Sequence, residues 1–440
     1  MLRLPRIFRA IENRNYRLYF FGQTVSVLGS WLQSVAQAWL VYRLTGSSLQ
    51  LGVVVFVGQA PLLVLSPIGG LIADRYPRRW VVVGTQTLSM LLAFVLATLT
   101  LWGHIQLWQI LVLAGLQGIV NAVDVPARQA LVSAIVDTDN LLNAAALNSS
   151  IFSNASSVAP VVAGFLVAAI GEGWCFAING VTYLAVIGGL LLIRLEEYRK
   201  SGRKQSAVSS IREGFHFVHD TAPIRRILVV LAVVNLLGAP FTVLMPLFAD
   251  KTLHAGPQGL GLLMSANGVG SLIGSLLLAS RRGLTGLGRW IVFGSAGFGA
   301  SLILLSVSRS FPLSLLILAP AGFCLFYVIT ASNTLVQAMS PEALRGRAIS
   351  ILSMLILGVA PFGMLMAGFL AERFGAPLTV AVGGLACVVG SLACSFNLPA
   401  LAVQGRQMIL ANFTPAEVNA PTSRLVETRG EARSRKIKEC

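Results

Sequence analysis

The stretch Gly70-Leu71-Ile72-Ala73-Asp74-Arg75-Tyr76-Pro77-Arg78-Arg79 decides the fold. It interrupts two apolar runs, 50–72 and 80–101, with one acid, three arginines and a proline. Each run has about the 20 apolar residues that a membrane helix needs, so the stretch reads as the turn between two spans. Gly70 is expected to let the second span approach a neighbour closely. Asp74, at a helix end, is an acceptor for an arginine or a helix N-terminus. Pro77 stiffens the turn, and Arg75, Arg78 and Arg79 can pair with acids or lipid phosphates.

The same alternation of apolar run and charged turn extends over most of the 440 residues. Charge-free windows fall near 18–42, 50–72, 80–101, 106–123, 143–170 and 174–193, then 227–248, 257–280, 290–307, 312–334, 348–371 and 376–397. The composition agrees: 55% hydrophobic and 11% charged, where soluble proteins carry about a quarter charged residues. This excludes a cytosolic enzyme, a nucleic-acid factor or a disordered scaffold. The expected fold is an all-α membrane protein of twelve transmembrane helices, the runs being too long for barrel strands. The run from Leu18 to Tyr42 is also too long for a signal-peptide core, so it is expected to be retained. Five cysteines without a CxxC pair predict neither a disulfide framework nor a metal site.

With twelve spans both termini share a side, and that side holds 29 of the 33 Lys and Arg. Arg43, Lys251, Arg309 and Arg373 lie on the other. The positive-inside rule places the 29-charge side, with both termini, in the cytoplasm, in a multi-pass protein of the inner membrane. The net charge of +16 is then topological, and no nucleic-acid partner is expected.

Residues 194–226 form the one long polar interruption and divide two six-helix bundles, 1–193 and 227–399, with a polar tail at 400–440. Internal similarity supports two halves. Ala163-Gly164-Phe165-Leu166 recurs 204 residues on as Ala367-Gly368-Phe369-Leu370, Gly171 recurs as Gly375, and Leu131-Val132 as Leu335-Val336. Parallel repeats of this kind build transporters with a site between the halves.

The Gly70–Arg79 stretch matches the loop signature of the major facilitator superfamily, a Gly, three residues, Asp, a basic residue, any residue, Gly or Pro, then two basics. The resemblance implies two pseudo-symmetric six-helix bundles that work by alternating access, with Gly70, Asp74, Arg75, Pro77, Arg78 and Arg79 as a cytoplasmic latch. Ala159-Pro160-Val161-Val162-Ala163-Gly164 resembles the superfamily's exporter motif, with Ala at two glycine positions; Pro160, Ala163 and Gly164 carry the likeness. Pro160 favours a kink, and the small residues favour tight packing, expected against Gly270 and Gly274. Gln117-Gly118 resembles part of the antiporter motif, but Ala114 stands where the family has an arginine. Asn13–Tyr19 and Val125–Leu131 are similar to the enterobactin-exporter-like and macrolide-efflux branch.

The first span carries Gln23, Ser26, Ser30, Gln33 and Gln37 at steps of three and four, one polar face on an apolar helix. Lipid penalises such a face, so it is expected to look into a cavity or the bundle. Gln117 and Asn121, Asn235, and Tyr327, Thr330 and Thr334 are further cavity candidates, with interhelical hydrogen bonding as the alternative. Asp124, near the expected end of the fourth span, is the proton-coupling candidate. It can equally pair with Arg128 four residues on. The four histidines read as loop residues.

No GKS or GKT phosphate loop and no HExxH occurs, so neither an enzyme nor a resident cofactor is expected. The expected function is proton-coupled export of a small amphiphilic compound, a drug or siderophore-like metabolite, by a monomer. A lysolipid transporter, or a non-transporting receptor on the same fold, is the alternative.

Overall fold

The computed structural model describes residues 10–136, 140–193, 207–281, 283–284 and 286–395, with 404, 407 and 408. Among them no residue lies in a strand. The helices are α1 (Arg14–Thr45), α2 (Ser48–Arg75), α3 (Arg78–Leu101), α4 (Leu107–Ile135), α5 (Leu141–Ile170) and α6 (Glu172–Leu192). After them come α7 (Ala207–Asp220) and α8 (Ala222–Thr252). The chain continues with α9 (Gly256–Ser280), α10 (Leu287–Val307), α11 (Phe311–Met339), α12 (Leu344–Phe374) and α13 (Ala376–Ser395). Ten of these are long and apolar enough to cross a membrane. The polar face lowers the hydropathy of α1, and α5 contributes the apolar stretch Asn154–Ile170. With these two, the twelve expected spans are accounted for.

Contacts group the helices into two units. The first holds α1–α6 together with Ala249–Ser265; the second holds α7, α8 up to Phe248, α9 from Ala266, and α10–α13. The ends of α8 and α9 thus group with the first unit, unlike the expected border at 227. Within that unit Tyr42 donates to Asp250 at 2.6 Å, and Gly164 meets Gly261. The expected tail and most of the expected linker, 194–206, lie outside the described residues.

The two units repeat one pairing scheme. In the first, α1 packs on α5 and α6, α3 on α4 and α6, and α2 on α4; in the second, α8 packs on α12 and α13, and α10 on α11 and α13. Gly270 against Ala319 adds the α9–α11 contact. The two copies of Ala-Gly-Phe-Leu lie in α5 and α12, and both helices end on a glycine at positive φ, Gly171 at 82° and Gly375 at 86°.

Proline and glycine act together in both units. A proline inside a helix leaves the carbonyl four residues earlier without its usual partner. Pro126 frees the Ala122 carbonyl, which faces Gly69 on α2, where an added Cβ would come within 2.0 Å. Pro240 frees the Leu236 carbonyl, which faces Gly363 on α12 at 2.5 Å by the same measure. The helix turn before Pro240 widens into a π segment, Val234–Gly238, and the turn before Pro361 does likewise at Met354–Gly358.

Three expectations need correction. Among the described residues Gly70 has no neighbour within 4 Å of a Cβ position, so the close approach belongs to Gly69. The fourth span does not end near Asp124; α4 continues through Pro126 to Ile135. His216 and His219 lie on α7, inside the expected linker. That helix packs on the segment that opens α12, and its Glu213 pairs with Arg347.

Replacing Gly69 by Ala should cost about 1–3 kcal/mol through overpacking. Gly70→Ala should be neutral or stabilising by up to about 1 kcal/mol, the helix-propensity gain. Thermal unfolding of the two purified variants in detergent checks the contrast.

Candidate functional site

The first unit collects most of the polar side chains predicted to matter. Asp124 is only 2% exposed, and a bare carboxylate at such depth would be strongly disfavoured. Three groups resolve this. Arg128 Nε lies 2.7 Å from Oδ2, one helical turn along α4. Thr85 Oγ1 donates to Oδ1 at 2.7 Å and Gln86 Nε2 at 2.9 Å, both from α3. The continuation of α4 past Pro126 puts Arg128 on the same face as Asp124, at the i, i+4 spacing. About two turns away, Gln117 Nε2 donates to Ser89 Oγ and to Asn121 Oδ1, each at 3.0 Å. The polar residues of α4 therefore bond toward α3, the interhelical alternative, and Asp124 sits at the centre of an ion pair.

The polar face of α1 divides. Gln23 and Ser26 are buried, and Gln23 Oε1 has no hydrogen-bond partner among the described residues. Ser30 donates to the Ser26 carbonyl. Gln33 accepts from Asn179 Nδ2 of α6 at 2.7 Å, while Gln37 is half-buried. Thus part of the face turns to α6, where α1 approaches at Gly22 and Gly29.

In the Gly70–Arg79 stretch, Tyr76 and Pro77 form a two-residue connection between α2 and α3. Asp74 and Arg75 are exposed. Arg79 donates to the carbonyls of Leu191 and Ile193 at the end of α6. That end exposes unpaired carbonyls and negative dipole charge, so a guanidinium is well placed there. Arg78 reaches the Ala130 carbonyl of α4 at 3.0 Å. These two arginines tie the start of α3 to α4 and α6.

On α5, Ala163 and Pro160 are buried. The small-residue face meets α9 at Gly261, not at the expected Gly270 and Gly274: an added Cβ on Gly261 would lie 2.3 Å from the Pro160 carbonyl, and one on Gly164 2.6 Å from the Pro257 carbonyl. Gly270 and Gly274 face Ala319 and Phe323 of α11 instead. The reason is depth along the helix. Only the start of α9 groups with α5, and Gly270 lies beyond it.

The second unit changes two expectations. Asn235 is buried inside the π segment and donates to the Leu231 carbonyl of its own helix. Tyr327 is buried, receives Arg281 Nη1 at 2.8 Å and packs on Trp290 and Phe323 with ring centroids 5.8 Å apart. Both serve packing between or within helices. Thr334 donates to the Thr330 carbonyl, and both are half-buried.

Sequence reasoning missed two polar contacts. One is Asn179, a buried amide in an apolar helix and detectable as such. The other is the Tyr42–Asp250 hydrogen bond, whose partners stand 208 residues apart. Arg43 also clasps Glu172 through two bonds, 2.8 and 3.3 Å. Among the described residues no cluster of His, Cys, Asp or Glu could hold a metal ion.

Comparison with known proteins follows this geometry. A family described as transmembrane secretion effector matches residues 7–426. The staphyloferrin A transporter of Staphylococcus aureus is 24% identical over 373 residues, covering 84% of this chain and 93% of its own. The multidrug efflux pump Tap of Mycolicibacterium fortuitum is 26% identical, covering 81% and 89%. Macrolide efflux protein A of Streptococcus pyogenes is 22% identical, covering 86% and 96%. Among solved structures, a bacterial homologue of the human lysosomal transporter Spinster, inward-facing and unoccupied, aligns with a TM-score of 0.67 at 13% identity, over 92% of this chain and 99% of that one. The nucleoside transporter NupG aligns with a TM-score of 0.62 at 14% identity, over 90% and 98%. At these identities the two structures speak for the fold.

Asp124→Asn leaves Arg128, whose side chain is 21% exposed, without its counter-charge and should cost about 3 kcal/mol, the lower end for a broken buried pair. The double variant Asp124→Asn/Arg128→Gln should recover part of that loss. Melting temperatures of the three proteins in one detergent measure the difference.

Proposed function

Since the chain belongs to the transmembrane secretion effector family of the major facilitator superfamily, we propose that it is a proton-coupled exporter of a small, neutral or weakly charged amphiphile. It works by alternating access as two bundles, 1–193 and 227–399. It lies in the cytoplasmic membrane, with both termini in the cytoplasm. The named activities of its relatives, siderophore transport and drug or macrolide efflux, support the direction and the cargo class.

The observation that carries the cargo class is the neutrality of the candidate polar groups. The candidates not taken up by another helix, Gln37, Thr330 and Thr334, offer an amide and hydroxyls and no charge. Such groups orient a cargo through hydrogen bonds while apolar walls hold its body. A cationic cargo would call for an unpaired carboxylate, and Asp124 already has Arg128.

Asp124 is the coupling residue in this reading. Ionised, it holds Arg128, Thr85 and Gln86; protonated, it loses the charge that keeps Arg128 in place. A proton gradient then biases the pair, as a ligand biases a two-state element. Asp74 and Arg75 act at the α2 end as the latch of the cycle.

Inside-out vesicles and a tritiated macrolide test the reading. The wild-type protein should accumulate label when the lumen is acidified and lose the gain when a protonophore is added. Asp124→Asn should keep binding while the gradient-driven part falls at least about tenfold, the expected size when a proton-transfer group is removed. Asp74→Ala should reduce flux and leave binding partly intact. Accumulation that ignores the proton gradient would refute the coupling.

A further inference from the structure

Between α2, α3 and α4, beside the Tyr76–Pro77 turn, the first unit has an open cavity of about 460 Å³. Its walls include Ile72, Leu88, Ile119 and Val123, with Tyr76 and Trp80 toward the turn. Tyr76, Trp80, Leu88 and Ile119 are all exposed, so no other described helix covers them. Gly84 opens the floor: a Cβ there would meet no atom of the described residues within 4 Å. Thr85 also lines the cavity, and its hydroxyl holds Asp124.

Dimensions and charge identify an occupant. From Pro77 to Leu88 the helix rises about 16 Å, close to the roughly 15 Å of hydrocarbon in one leaflet. In sequence the lining residues Tyr76, Pro77 and Trp80 are flanked by three arginines, Arg75, Arg78 and Arg79, against the one acid Asp74. Arg75 is exposed, and the Arg79 guanidinium lies 5.2 Å from the Trp80 ring centroid while it binds the α6 end. Tyr76 and Trp80 stand where aromatic rings sit at headgroup level. Basic groups above an apolar slot between helices recognise acidic lipid headgroups.

We propose that this cavity binds an anionic phospholipid, with one acyl chain along Gly84 and the phosphate at Arg75 and Arg79. The chain then covers Thr85 and keeps water from the Asp124–Arg128 pair. Neither the cargo nor the coupling proposed above enters this assignment.

Native mass spectrometry of the full chain in detergent tests it, with phosphatidylglycerol and phosphatidylethanolamine of identical acyl chains as probes. The wild-type protein should retain phosphatidylglycerol about fivefold better for each arginine engaged. Arg75→Gln should remove most of that preference. Gly84→Phe, whose Cβ has open space and whose ring enters the cavity, should lower retention of both lipids; if it does not elute as a single species, Gly84→Ile carries the same expectation. Equal retention of the two lipids by the wild type, or full retention by a folded Gly84 variant, overturns the proposal. So does displacement of the lipid by the macrolide in the wild type, which assigns the cavity to the cargo.

Discussion

A carboxylate buried in an apolar bundle must be compensated where it stands, because an uncompensated ion there costs several kcal/mol. Asp124 meets that demand with one cation and two neutral donors. Much of the first unit follows from it. Arg128 can reach Asp124 because α4 continues past Pro126. That continuation leaves the Ala122 carbonyl without a helical partner, and Gly69 lets α2 lie against it. Thr85 and Gln86 come from α3, whose start is fixed by Arg78 and Arg79 on the carbonyls of α4 and α6.

The second unit uses the same helix pairing without the charge. At the repeat offset of 204 residues, Val328 stands for Asp124 and Ser332 for Arg128, and both are buried. A proline and glycine pair also brings helices together here, Pro240 with Gly363, but between α8 and α12, the counterparts of α1 and α5; at the offset Pro126 becomes Thr330 and Gly69 becomes Ile273. The packing scheme has been kept in both copies, while the ionisable pair is present in one. This asymmetry accords with the coupling role proposed for Asp124.

The spans were legible because membrane helices must be apolar over a fixed length, a constraint visible in composition. The turn at Asp74–Arg79 was legible because charge marks helix ends. What escaped were features set by partners distant in sequence. Gly69 and Gly70 are indistinguishable in a sequence, yet they point about 100° apart on α2, and only one faces α4. Asp124 and Pro126 together imitate a helix end, so the last turns of α4 were missed. The polar residues around α7 hid an amphipathic helix, for which Phe215 and Val218, three apart, were the available signal. Gln33 reads as cavity-lining until Asn179 is placed beside it.

The most direct test of the account is proton release on substrate binding. Purified protein in weakly buffered detergent solution receives the macrolide while a pH indicator follows the medium. The account predicts that wild-type protein, started from the acid side with Asp124 protonated, releases protons in proportion to the macrolide bound and that Asp124→Asn binds without release. No release from the wild type, or equal release from the variant, would contradict it.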